Sequence, residues 1–249
     1  MVHHAAPMLR PGLAWLLARP VAHRGLHDAH RPENSLAAFD AACDAGYPIE
    51  LDVHLGAQGS LPVFHDDTLV RMTGAAGELH DTPRARLDAL RLAGTDERIP
   101  SLPEVLARVR GRVPLVIELK ARRGGPGLVP AVLDALAGYR GELALQSFDP
   151  RTLAAIRRRE PSRVLGLLAS DFRGGDVSRL ERFVLRRLLL APLSRPDYVG
   201  YELRCLPYWA TSLARRMGTP VLAWTVRTAQ DLSRSREVAD NCIFEGVRP

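Results

Sequence analysis

The sequence predicts an α/β fold of the TIM (β/α)8 barrel type, and three observations carry that expectation. Short apolar runs of strand length alternate with helix-length segments through most of the chain. The chain has 249 residues, 46% of them apolar, enough to bury the core of one barrel domain spanning residues 1–249. No Gly-rich dinucleotide signature and no Walker sequence follows the first strand, which counts against a doubly wound sheet.

The elements follow in order. Residues 1–20 read as a short leading helix in which Trp15 and the leucines pack on the domain, with His3 and His4 in solvent. Val21-Ala22 starts the first strand, which delivers His23-Arg24-Gly25. Pro32-Glu33-Asn34-Ser35 then opens a helix that Asn34 or Ser35 caps, with Leu36, Phe39, Ala42 and Cys43 at helical spacing and Gly46 as its stop. The second strand, 49–54, puts Glu50, Asp52 and His54 on one face and Leu51 and Val53 on the other. After a turn at 56–60, Leu61 to Phe64 reads as a third strand ending in His65-Asp66-Asp67.

Residues 66–112 form a long insertion after that third strand, and its last part, from Pro100-Ser101 to Gly111, is a helix. In the strand 115–119 that follows, Val116, Glu118 and Lys120 share a face. Helix 127–136, strand 142–148, helix 150–159 and strand 163–168 come next. Residues 171–196 hold an additional helical segment rich in arginine and leucine, RLERFVLRRLLLA. Strands 198–203 and 220–226 flank a helix over 208–217, and 241–244 is the last strand. These are nine strand candidates for eight barrel places, so one is a hairpin partner or a terminal addition.

Composition narrows the function classes. No run approaches the ~18 apolar residues of a membrane span, and LAWLLA at 13–18 is short for a secretory core, so the expected location is cytoplasmic. Cys43, Cys205 and Cys242 are widely spread, suit a reducing compartment and offer no zinc spacing. The net charge of +6 fits nucleic acid, an anionic membrane or an anionic small molecule. There is no basic run with interleaved aromatics of the kind single-strand binders use, so no nucleic-acid partner is expected. Lys120 is the sole lysine among 34 basic residues, and it stands beside acids.

Five strand ends carry polar groups: His23-Arg24, Glu50-Asp52, His65-Asp66, Glu118-Lys120 and Gln146-Ser147. In a barrel those ends converge on one mouth. Any one of them is ordinary by itself, but Glu118 and Lys120 in an otherwise apolar strand need partners or a metal to be tolerated. Glu50, Asp52 and Glu118 form an oxygen-only set suited to Mg²⁺, Ca²⁺ or Mn²⁺. His23 and His65 fit acid and base roles, while Arg24 and Lys120 oppose a bound anion. The combination describes phosphoryl transfer or phosphodiester cleavage.

His23-Arg24-Gly25, Pro32-Glu33-Asn34-Ser35, Glu50-Leu51-Asp52-Val53, Val63-Phe64-His65-Asp66, Ile99-Pro100-Ser101-Leu102, Ile117-Glu118-Leu119-Lys120, Gln146-Ser147-Phe148 and Trp224-Thr225-Val226 resemble the ordered motifs of the glycerophosphodiester phosphodiesterases. The resemblance implies a barrel of the phospholipase C-like type, one bound divalent cation, and hydrolysis of glycerophosphodiesters to sn-glycerol 3-phosphate and an alcohol. It puts the catalytic pair on His23 and His65, the metal ligands on Glu50, Asp52 and Glu118, and phosphate binding on Arg24 and Lys120. The insertion after His65 corresponds to one that helps shape the glycerol pocket. The partner is then a small molecule, with no stable membrane insertion. Where the family often ends in Thr-Asp-x-Pro, this chain has Phe244-Glu245-Gly246, and Glu245 receives no role from the resemblance.

Around this set, Glu33, Phe148 and Trp224 are candidate pocket residues; a carboxylate at Glu33 also suits a helix N-terminus without any site contact. His54, His27 and His30 are expected at the rim or in solvent, and Tyr201, Tyr208 and Trp209 in packing. Two other readings compete. A lysophospholipase D-type or related phosphodiesterase would keep this chemistry, with 179–192 as an amphipathic, membrane-facing helix rather than a barrel-covering one. A basic module binding RNA or an anionic surface would explain the charge but not the acids around the sole lysine.

Overall fold

The computed structural model describes residues 12–121, 127–173 and 177–249. Its eight strands, β1 (Val21–Ala22), β2 (Ile49–Val53), β3 (Leu115–Leu119), β4 (Leu143–Ser147), β5 (Val164–Ala169), β6 (Tyr198–Glu202), β7 (Val221–Val226) and β8 (Asn241–Phe244), are all parallel and close in chain order. Val21 and Ala22 pair with Ile243 and Phe244 to shut the barrel.

Leu61 to Phe64 is not among the barrel strands. Val63 makes a single antiparallel bridge to Val53, and Pro62 another to Ser101. The turn before it is too short for a parallel crossover, so this run can only fold back on β2. The insertion therefore leaves after the second barrel strand, not after a third. Part of it builds a small apolar cluster of its own, in which Phe64, Leu69, Met72, Leu79, Leu87, Leu92 and Ile99 enclose one another.

Eleven helices are described, from α1 (Ala14–Ala18) and α2 (Leu36–Ala45) through the insertion's α3 (Val70–Thr73), α4 (Arg84–Ala89) and α5 (Leu102–Val109). Then come α6 (Leu128–Leu136), α7 (Pro150–Arg159), α8 (Arg179–Arg186), α9 (Ala191–Ser194), α10 (Trp209–Arg216) and α11 (Ala229–Val238). Local chemistry sets their starts. Ser35, not Asn34, caps α2 by accepting from Ala38 N, and Gly46 ends it in the left-handed region. Ser101 with Glu104 makes a capping box for α5, and Thr228 with Asp231 one for α11.

Strand alternation divides the side chains cleanly. Leu51, Val53, Ile117, Leu119, Leu145 and Val199 face outward and pack with Phe39, Val105 and Val132 of the surrounding helices. Val116, Ala144, Tyr198, Leu222 and Ile243 face inward. The lower end of that interior is closed by α1, whose Leu16, with Leu13 just ahead of it, joins the inner cluster. Asn241 Nδ2 holds α1 in place by donating to Leu16 O and Arg19 O at 2.6 and 2.7 Å. The described part of the expected leading helix is this plug, Ala14–Ala18, and His3 and His4 lie outside the described residues. Among the described residues, no helix is long and apolar enough to cross a membrane.

Candidate active site

Because β2 and β3 lie in register with Asp52 opposite Glu118, their inward carboxylates meet at the upper end of the barrel. One oxygen each of Glu50, Asp52 and Glu118 lies within 4.8 Å of the others, and all three side chains are buried. Lys120 Nζ sits 2.9 Å from Asp52 Oδ1 and 2.8 Å from Glu118 Oε1. Burial opposes the charge on Lys120, but the two carboxylates outweigh it and hold the ammonium protonated.

The three acids differ in their surroundings. Burial, then repulsion from Asp52 and Glu118, pushes Glu50 well above the ordinary carboxylate range. Burial also raises Glu118, against the pull of Lys120. For Asp52 burial is outweighed by Lys120 and other nearby positive groups, and its carboxyl is held below the ordinary range. A trio of buried carboxylates, two of them disfavoured as anions, fits a hard cation: a positive ion between them reverses the repulsion.

Each acid is oriented by a neighbour. Asn34, buried in the left-handed region at φ 56°, donates Nδ2 to Asp52 Oδ2 at 2.9 Å. Arg24, also left-handed at φ 54°, donates its backbone N to Glu50 Oε2 at 3.1 Å. Gly25 lets this loop pass over α2, since a Cβ there would lie 2.9 Å from the Ala38 backbone. Gln146 donates to Glu50 Oε1 at 3.3 Å and accepts from Tyr198 OH at 3.0 Å. The Tyr198 ring fits inside the barrel because β5 offers Gly166, where a Cβ would come 2.1 Å from the ring.

Both predicted histidines stand at this mouth, and each spends its Nδ1 on a carboxylate. His23 Nδ1 lies 2.5 Å from Glu245 Oε2, and His65 Nδ1 lies 2.6 Å from Asp66 Oδ1. That leaves Nε2 of each ring as the nitrogen its carboxylate partner does not engage. His23 Nε2 lies 4.0 Å from Glu50 Oε2. Burial lowers both rings, most clearly His65, which is brought down to about 4 by burial and by Lys120. Glu245 works against that at His23 and is itself held below the ordinary range by the histidine.

An ionic chain joins the two halves of the site. Arg24 Nε is 3.3 Å from Asp52 Oδ2, and its Nη1 donates to Glu33 Oε1 at 2.7 Å. Arg71, from α3 of the insertion, also donates to Glu33 and reaches Asp66, the partner of His65. Glu33 is thus more than a helix-terminal charge. His54 lines the cavity, as a rim position, but is not in solvent: it is 5% exposed, and its Nε2 lies 3.2 Å from His65 O, which steadies that loop.

A cavity of about 1020 Å³ opens beside His65, Glu118 and Lys120. Phe148 lines it, whereas Trp224 stands behind Phe148, edge-on with ring centres 5.5 Å apart. Tyr201 packs as expected, stacked on Tyr208 at 5.7 Å, but Trp209 is 54% exposed. Sequence reasoning left out Glu245, Arg71 and Tyr198 as site neighbours, and took Asn34 only as a possible cap. The glycine within strand β5 was the one available sign of Tyr198.

A protein-family model, the glycerophosphoryl diester phosphodiesterase family, matches residues 23–245. The glycerophosphodiester phosphodiesterase of Caldanaerobacter subterraneus subsp. tengcongensis is 32% identical over 228 residues, covering 86% of this chain and 88% of that one. Among solved structures, the Oleispira antarctica phosphodiesterase in complex with the product sn-glycerol-3-phosphate superposes with a TM-score of 0.78 at 25% identity. It covers 92% of this chain and 93% of its own. The Thermotoga maritima glycerophosphodiester phosphodiesterase gives 0.71 at 27% identity, with 91% and 94% covered. The chain is a phosphoric diester hydrolase acting on glycerophosphodiesters, with the barrel fold of these relatives. On the match across nearly its whole length, it belongs to the glycerophosphoryl diester phosphodiesterase family.

Proposed function

We propose that the chain cleaves glycerophosphodiesters to sn-glycerol 3-phosphate and an alcohol by proton transfer between His23 and His65, beside one divalent cation held by Glu50, Asp52 and Glu118. The observation that carries this reading is the pairing of each histidine Nδ1 with a carboxylate on either side of three buried acids. Mg²⁺, Ca²⁺ or Mn²⁺ there would draw charge from the non-bridging phosphate oxygens. The product seen with the Oleispira antarctica relative supports the choice of products.

The chain's own groups do the rest. Arg24 and Lys120, now shared with Asp52 and Glu118, are placed to turn toward a phosphate that reaches the mouth. One histidine Nε2 takes a proton from the nucleophile as its oxygen bonds to phosphorus. The other gives a proton to the alkoxide as the ester P–O bond breaks. Each transfer contributes about 10² to 10⁴ in rate. Glu245 and Asp66 hold the two rings in one tautomer. Glu33 and Arg71 fix Arg24 and Asp66, which gives the insertion a part in shaping the glycerol side. In this reading residues 1–249 act as one catalytic unit, and three unpaired cysteines support a cytoplasmic setting.

The test is hydrolysis of glycerophosphocholine, glycerophosphoethanolamine and glycerophosphoinositol by metal-reconstituted protein, coupled to detection of glycerol 3-phosphate. Turnover should disappear with chelator and return with a divalent ion. His23→Ala and His65→Ala should each lose at least about 10²-fold in kcat. Near-wild-type turnover by either variant would sink the assignment.

A further inference from the structure

Helix α10 is built the wrong way round for a barrel. A crossover helix ordinarily turns its large apolar side chains onto the strands and its polar ones outward. In α10 the buried positions are Ala210, Thr211 and Ala214. Trp209, Leu213 and, at the C-cap, Met217 follow at intervals of four and so form one stripe, and they are 54%, 46% and 70% exposed. None of the three lines the cavity of the active site. They add little to the core, and a continuous apolar stripe in water is unfavourable unless something covers it.

Charge around the stripe narrows what the cover is. Arg216 stands three residues beyond Leu213 on the same side, is exposed and, among the described residues, has no acidic partner. Arg215, on the other side, pairs with Asp240 at 2.9 Å. Between residues 178 and 217 stand eight arginines and three acids, in a chain whose formal net charge is +6. A second copy of the chain is a poor cover, because a two-fold contact would set this positive face against itself. A stable dimer also hides about 800 Å² per partner, more than three side chains present. An anionic bilayer suits both features: apolar side chains and a tryptophan ring enter the boundary of headgroups and acyl chains, while arginine heads stay at the phosphates.

We propose that α10 docks the barrel on the surface of an anionic bilayer. The helix follows the mouth end of β6 and runs back along the outside of the barrel. A docked molecule therefore lies on its side, with the active site open along the surface. Segment 179–192 is not the contact, since its Leu180 and Val184 line the cavity. The inference goes beyond the hydrolytic reading and changes neither substrate nor reaction. It puts the enzyme where a glycerophosphodiester arises, because that compound is what a phospholipid becomes when both acyl chains are removed.

Co-sedimentation of the full chain with sucrose-loaded vesicles tests it. Binding is expected to phosphatidylcholine vesicles holding roughly one-third phosphatidylglycerol, and not to phosphatidylcholine alone. It should weaken at least about fivefold between about 0.1 and 0.5 M salt. Leu213→Asp and Met217→Asp should each weaken it at least about tenfold, as the loss of one buried apolar side chain implies. Arg216→Glu should weaken it at least about fivefold. All three residues are exposed, so circular dichroism and glycerophosphocholine turnover in solution should match the wild-type chain. Leu180→Asp, on α8, should bind like the wild type. Brominated lipid should quench a tryptophan signal that Trp209→Phe removes. No binding to the anionic vesicles, equal binding to both vesicle types, or binding that survives both aspartate substitutions on the stripe would overturn docking by α10. Loss through Leu180→Asp alone would overturn it as well, moving the contact to α8. A lipid-free dimer in analytical ultracentrifugation that Leu213→Asp abolishes would assign the stripe to a second copy instead.

Discussion

Replacing Glu245 with Gln isolates one electrostatic contact. Glu245 Oε2 sits 2.5 Å from His23 Nδ1, and the two side chains are only 17% and 12% exposed. Charge centres about 4 Å apart at an effective dielectric of ~20 interact by about 4 kcal/mol. Halving that for the partial opening to water leaves about 2 kcal/mol in favour of the charged ring. Glutamine keeps an oxygen that can accept from Nδ1–H, so the ring orientation survives while the charge goes. His23 should then titrate lower than in the wild-type chain, because the carboxylate that favours its charged form is gone. If it is the acid, its protonated fraction near neutral pH falls, and the alkaline limb of kcat moves to lower pH. If it is the base, the acidic limb moves instead. The measurements are a pH profile of kcat on glycerophosphocholine and an NMR titration of the His23 ring. Glu245→Asp serves as the conservative control and should recover part of the shift. An unmoved profile with activity within about threefold of wild type would refute the positioning role.

Two further outcomes follow from other parts of the barrel. Tyr198→Phe removes the donor to Gln146 and so loosens Glu50; divalent-ion affinity by calorimetry should fall about 10- to 100-fold, as is usual when a group supporting a metal ligand is lost. Unchanged affinity would show that Gln146 needs no help. Leu16→Ala empties part of the plug beneath Val116 and Tyr198 and should cost about 2 to 5 kcal/mol in chemical denaturation. A loss below about 1 kcal/mol would mean that α1 is not part of the cooperative core.

The barrel was legible because alternation of strand and helix is written in apolar spacing, and the inward acids of β2 and β3 interrupt that spacing visibly. Glu50, Asp52, Glu118 and Lys120 were found for that reason, and the structure brings them together. Leu61 to Phe64 misled, because a strand-like run carries no mark of whether its partner is parallel; only the short turn before it restricts the choice. Arg71 was invisible because its contacts with Glu33 and Asp66 depend on how the insertion folds back, which no periodicity records. Glu245 stood one residue beyond a strand, and only closure of β8 onto β1 brings it to His23. His54 is at the cavity as expected, but its burial comes from the same fold-back and could not be read from its spacing.

The fit between Gly166 and Tyr198 has a consequence for how such a barrel can change. The two positions are separate strands' answers to one volume: the ring of one occupies the space where the other would carry a side chain. Enlarging position 166 first collides with the ring, and shrinking position 198 first leaves a void and releases Gln146 from the carboxylates above. Neither single step is neutral, so the pair is expected to substitute together or not at all. A library that varies both at once reaches sequences that stepwise selection for activity does not.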